Sequence, residues 1–364
     1  NGGKSFGPGT TGIALPILTT LFNGIPAGNG FASTTFISNL QNNNVGAMAF
    51  TLANSPTYRA NRANLAPNFF LANPNAAFAR ALTNNSFSTF HSLQLEIRRR
   101  MSKGLQLQGN YTFSKALTNG GEVQNNQSTL DAPLTLRNLA FDKHRASFDQ
   151  THRFIANFIY ELPFGPGRQW LNGGFAPVRK AVEGWQVGGI INVQTSSPIF
   201  ITSGRTTVNQ FSAGNAPIIG AQLAGISFGD FENAVGIFKT PDGVFFIDPK
   251  LLNITRNAAG QFTGATLKPG LLAAPAPGTF GNFPRNSING PGYSQVDFSL
   301  TKRTRAYEKA DVEFKFNLIN AFNHANFNFN SLNFDAANFG RISATRGVEA
   351  NYGRQINFIL GINF

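Results

Sequence analysis

The chain has 364 residues, 37 of them Phe and none Cys, and carries a formal net charge of +13 although only 13% of its residues are charged. Without cysteine there is no disulfide framework, no thiolate chemistry and no cysteine metal site. No apolar run approaches the roughly 18–20 residues a membrane-spanning helix needs, and the nearest, Thr11 to Ile25, is broken by Pro16.

So much Phe, with about half the usual share of charge, needs somewhere to place its apolar surface. A lipid-facing sheet is one answer. The chain starts at Asn1 without a charged-then-apolar leader, which reads as a mature or truncated segment. Residues 1–85 read as a loop region, partly irregular, with a short helix possible over FISNLQNNNVGAMAFTLANS, Phe36 to Ser55.

Residues 86–364 hold about seven stretches of two-residue alternation, each the pattern of a strand with one apolar face. HSLQLEIR sets His91, Leu93, Leu95 and Ile97 against Ser92, Gln94, Glu96 and Arg98. LQLQGNYTF sets Leu105, Leu107, Tyr111 and Phe113 against Gln106, Gln108, Asn110 and Thr112. In THRFIANFIYEL, Phe154, Phe158, Tyr160 and Leu162 oppose Arg153, Asn157 and Glu161. GWQVGGIINVQ opposes Trp185, Val187, Ile191 and Val193 to Gln186, Asn192 and Gln194.

SQVDFSLTK and DVEFKFNLINAF continue the pattern, with Val296, Phe298, Leu300, Val312, Phe314, Phe316 and Leu318 on the apolar side. Asp297, Glu313 and Lys315 lie on the polar side. The last stretch, GRQINFILGINF, keeps Ile356, Phe358, Leu360, Ile362 and Phe364 in one parity, starting from Gln355.

Asn, Gln, Ser, Thr and Gly dominate the polar face, where a sandwich facing bulk water would favour Lys and Glu. That composition suits the wet lumen of a large membrane barrel. Ten residues tilted near 40° rise about 25 Å, enough for its apolar band. A soluble all-β sandwich is the competing reading. Connection lengths give an independent test, because bacterial barrels have short periplasmic turns and long outer loops. Arg99–Gly104, Pro163–Glu183 and Lys302–Asp311 then fall on the periplasmic side, and large outer loops fall at 114–150, 203–293 and 323–352. The loop 203–293 is expected to carry hairpins around GVFFID and QFTGATL.

The fold class is therefore all-β: an antiparallel transmembrane β-barrel segment with long extracellular loops. Glu96, Arg98, Arg153, Glu161, Asp297, Glu313 and Lys315 are lumen-facing candidates. Tyr160, Trp185 and Phe364 at the periplasmic end, with Tyr111, Phe113 and Phe322 at the outer end, are candidate interfacial aromatics.

Taken together, these stretches resemble the C-terminal barrel region of TonB-dependent receptors of the Oar-like type, typical of acidobacteria. Further matching segments are NFFLANPNAAFA (Asn68–Ala79), EGWQVGGIINVQTSSPIF (Glu183–Phe200), FGNFPRNSINGPGYSQVDFSLTK (Phe280–Lys302), FNLINAFNHANF (Phe316–Phe327) and FGRISATRG (Phe339–Gly347). The resemblance implies a bacterial outer-membrane barrel of about 22 strands, plugged by an N-terminal domain with an energy-coupling box ahead of it. About seven strands and none of the upstream parts are expected here, so the chain reads as a C-terminal fragment. Implied partners are outer-membrane lipid and lipopolysaccharide, the TonB complex acting through the missing plug, an unknown solute, and the barrel-assembly machinery. That machinery would recognise the terminal strand from Gln355 to Phe364. The implied function is solute capture at surface loops and passage through the lumen; the alternative is a barrel that only anchors a surface adhesion or structural protein.

Nothing in the chain carries recognisable catalysis, and no enzyme, metal site or cofactor is expected. His91, His144, His152 and His324 stand at no metal spacing. FDKHRASFDQTHRF, Phe141 to Phe154, could hold an acid/base site, but a charge-paired loop bracing the barrel mouth is the better reading. GGKS at Gly2–Ser5 lacks the upstream glycine of a P-loop. Basic residues are scattered rather than gathered on a helix, which argues against nucleic acid. Arg59, Arg62, Arg137, Arg145, Arg256 and Arg285 are expected in outer loops, near lipopolysaccharide phosphates.

Overall fold

A computed structural model describes residues 4–5, 13–14, 20–25, 33–71, 84–120, 133–208, 218–307, 310–329, 332–345 and 353–363. Phe364 lies outside them. Seven long strands carry the architecture: β1 (Ser88–Ser102), β2 (Leu105–Thr118), β3 (His152–Glu161), β4 (Trp185–Gln194), β5 (Tyr293–Tyr307), β6 (Ala310–Ile319) and β7 (Gln355–Asn363). They lie side by side in chain order in one antiparallel sheet, with β1 and β7 at its edges. The barrel is not closed.

Register keeps the two parities apart across the whole sheet. Leu107, Phe158, Gly189, Phe298, Leu318 and Ile356 form one row over six strands. One residue along, Gln106, Ile159, Gly188, Ser299, Asn317 and Asn357 form the row of the opposite face. Gly189 is small for a reason: a Cβ there would meet the Phe158 ring at 2.5 Å. No second sheet covers the apolar face among the described residues. Ile97, Phe358 and Leu360 are 69%, 68% and 69% exposed, which excludes the sandwich.

Two turns are tighter than their sequence suggests. The Arg99–Gly104 turn contracts to Lys103–Gly104, both at positive φ (51° and 79°), as the two-residue turn matching strand twist requires. β5 runs on to Tyr307 because Arg303 and Arg305 stand opposite Glu313 and Asp311, and cross-strand opposite charges stabilise such pairs. At the other end, β2 continues to Thr118, where Leu117 and Thr118 pair with Arg145 and His144.

The long connections build a packed cap over that end. Val235–Thr240 pairs with Gly243–Ile247, which pairs with Arg341–Ile342, and Leu252–Arg256 pairs with Phe262–Leu267. These strands enclose a hydrophobic core around Phe231, Phe245, Phe246, Phe283, Phe329 and Phe339. Many of the chain's phenylalanines are therefore cap core, not sheet face.

The segment expected as one helix forms two, α1 (Thr34–Gln41) and α2 (Val45–Asn54), broken where Asn43 takes φ 56°. Asn tolerates that left-handed conformation better than most residues. The free amides at the α2 N-terminus find the cap: Gly46 N–H and Ala47 N–H donate to Thr206 O (2.9 Å) and Oγ1 (3.3 Å). The connection from β3 to β4 carries a further helix, labelled α3 (Ala176–Val182).

Candidate functional site

The alternation that builds the strands also sorts their polar side chains. Glu96, Arg98, Arg153, Glu161, Asp297, Glu313 and Lys315 share one face of the sheet by register. They do not form one cluster. Glu313 accepts from Arg303 Nε (3.0 Å) and pairs with Lys315 Nζ (2.6 Å) near the short turns. Glu161 accepts from Arg168 Nη2 (2.8 Å) at the same end, and Glu96 from Gln108 Nε2 (3.3 Å) at the β1 edge. On the opposite face, Tyr111 and Phe113 stand against Phe154 and His152, with Tyr111 Oη 2.8 Å from His152 Nδ1. Phe322 reaches Phe298 at 6.0 Å, whereas Tyr160 and Trp185 lie at the short-turn end.

Near the cap the strand ends meet a cavity. There Asp297 accepts from Gln295 Nε2 (3.0 Å) and from Asn320 N–H (2.8 Å), and Tyr293 Oη donates to Gln295. Asn320 carries the network onward: its Nδ2 donates to His324 O (3.0 Å) and its Oδ1 accepts from His324 N–H (2.9 Å). Above this ladder a cleft of about 410 Å³ opens between the strand ends and the cap. Its walls include Val193, Ile237 and Phe327, and Lys239 and His324 are its ionisable lining residues besides Tyr293. Among the described residues no carboxylate lines it. The cleft can therefore hold a partly apolar guest whose polar group is neutral or anionic.

A model of the outer membrane beta barrel domain matches residues 27–357. The chain belongs to that family. Its location is the bacterial outer membrane, and no curated protein and no solved structure matches it. No helix among the described residues is long and apolar enough to cross a membrane.

Rim and cap of the barrel are locked by the segment whose charges stood out in the sequence. Asp149, 2% exposed, accepts from Ala116 N–H (2.6 Å) and from Arg145 Nε (2.9 Å). Arg145 also donates to Thr151 Oγ1 (3.1 Å) and to Asn289 Oδ1 (2.8 Å) of the distant connection. Burial pushes the Asp142 carboxyl above its ordinary value, outweighing the Leu134 N–H and the charge of Arg285, 3.7 Å away. This is a brace, with no substrate-accessible acid and base side by side. Arg145 and Arg285 are thus turned to internal carboxylates, and Arg256 pairs with Asp242, so three of the six arginines expected to face lipopolysaccharide are already engaged.

Sequence reasoning missed the cleft. Lys239, Tyr293 and His324 come from three separate segments, and no local pattern joins them.

Proposed function

We propose that this barrel chain is the C-terminal wall and cap of a TonB-dependent outer-membrane receptor of the Oar-like type. In this reading the apolar rows face lipid, the Asn- and Gln-rich rows line the lumen, and the short turns point to the periplasm. The cap is extracellular. It captures a solute in the cleft beside Lys239 and His324, and the ladder from Tyr293 to Asp297 leads that solute onto the luminal wall. The observation that supports the reading is the position of the cleft, between the cap and the ends of β4 and β5, beside the Tyr293–Asp297 ladder. Energy would arrive through a plug coupled to TonB, and the barrel-assembly machinery would take up the strand from Gln355 onward.

The test is accumulation of radiolabelled amphiphilic anions by cells carrying the intact gene, with the inner membrane energised and then uncoupled. Energy-dependent uptake is expected. Accumulation indifferent to the gene overturns the reading.

A second reading has its own support. The cap holds a hydrophobic core independent of the sheet, more structure than loops need merely to admit a solute. A barrel anchoring an adhesive surface body would look the same. Loss of cell adhesion without loss of uptake on deleting residues 235–267 would favour it.

A further inference from the structure

We infer that α3 and the connection around it form a foot that lies in the headgroup layer at the short-turn end and binds the phosphates of anionic phospholipid. The inference rests on the sheet crossing the bilayer and on nothing about transport.

Two side chains fix where the foot sits. Trp185 and Lys302 stand directly opposite each other on β4 and β5, in the apolar parity of the sheet. Trp185 Nε1 donates to Ala181 O (2.8 Å). Lys302 Nζ donates to Lys180 O (2.8 Å) and Glu183 O (2.7 Å), and lies 5.1 Å from the Trp185 ring centroid. The last carbonyls of a helix accept a cation well. Here that cation comes from the face that meets hydrocarbon, so α3 ends against the outside of the wall and not beneath the lumen.

What the foot shows to its surroundings matches that position. Phe175 and Val178, three residues apart, are 69% and 41% exposed, and Leu171 before them is 58% exposed. A strand-to-strand link in water gains nothing from such a stripe. Arg179 and Lys180 occupy the last turn of α3, Lys180 also pairing with Glu183 at 3.1 Å. An apolar stripe beside basic side chains, continuous with a lipid-facing surface, is the pattern of an interfacial segment on an anionic leaflet. Arg168 does not join it, being held by Glu161 on the other face.

The chain has no cysteine, so single substitutions can carry a nitroxide cleanly. Val178→Cys and Phe175→Cys, with Leu300→Cys as a mid-sheet reference, are labelled in the full chain. They are reconstituted in vesicles of phosphatidylethanolamine and phosphatidylglycerol, then in phosphatidylcholine alone. Collision with oxygen and with a water-soluble nickel complex reports depth. The expected result is protection of positions 175 and 178 from nickel in the anionic vesicles, lost in phosphatidylcholine and lost in the Arg179→Glu, Lys180→Glu background. Nickel-accessible labels at 175 and 178 beside a hydrocarbon-embedded Leu300→Cys overturn the foot alone. Protection indifferent to lipid charge overturns recognition of anionic phospholipid. A water-exposed Leu300→Cys overturns the membrane sheet and the foot with it.

Discussion

Phe316 of β6 stands directly opposite Phe358 of β7, their ring centroids 5.2 Å apart, on the face where no protein covers Phe358. One residue along, Asn317 meets Asn357 on the other face. Phe316→Arg should cost roughly 2–4 kcal/mol of stability by placing a charge in hydrocarbon. Asn317→Arg should cost far less. Urea unfolding in lipid vesicles measures both, and equal losses would contradict the assignment of faces.

Asp149 holds the rim brace together, and its loss would leave the Ala116 amide without its acceptor and Arg145 without its carboxylate. Asp149→Ala is expected to cost about 3–5 kcal/mol, the usual result of breaking a buried ion pair from one side. The damage should be local. Protease cleavage within 133–150 should rise sharply while the sheet stays resistant, and replacing both partners with apolar residues should recover part of the loss.

Asp142 gives the cap a pH dependence of definite sign. Burial raises its folded-state pKa, so the folded chain holds that proton more tightly than the unfolded chain. The stabilisation is full below the ordinary carboxylate range and is lost as pH rises through the folded pKa. Relative to Asp142→Asn, the wild-type melting temperature should fall as pH rises above the ordinary carboxylate range. A constant gap between the two melting curves would reject the assignment.

Gly184 joins α3 to β4 at φ +73°, and a Cβ there would lie 2.0 Å from the Arg303 carbonyl oxygen. Gly184→Ala should destabilise by more than about 1 kcal/mol, since both conformation and space refuse the methyl. Gly173→Ala, with nothing within 4 Å, is the control. The comparison is the yield of folded, heat-modifiable barrel for each variant.

Much of the sheet was legible in the chain because alternation is covalent: in an extended backbone successive side chains must point to opposite faces. Where apolar alternation stopped, so did legibility. Arg303 and Arg305 are strand residues only because Glu313 and Asp311 lie across from them, and partners on another strand leave no local trace. The hairpins at GVFFID and QFTGATL were visible as short β-branched and aromatic runs bounded by turn residues. The break at Asn43 was missed although the run Asn42–Asn44 followed by Gly46 is itself a turn signal.

By itself, the order of amino acids determined which side chains share each face of the strands, because a two-residue period survives whatever the neighbours do. Only the tertiary structure decided that Phe231, Phe245 and Phe246 are cap core, that Lys239 and His324 share a cleft, and that Lys302 holds the end of α3 against the sheet. Those relations join segments distant in the chain, and no periodicity records a contact that exists only once the backbone has closed on itself.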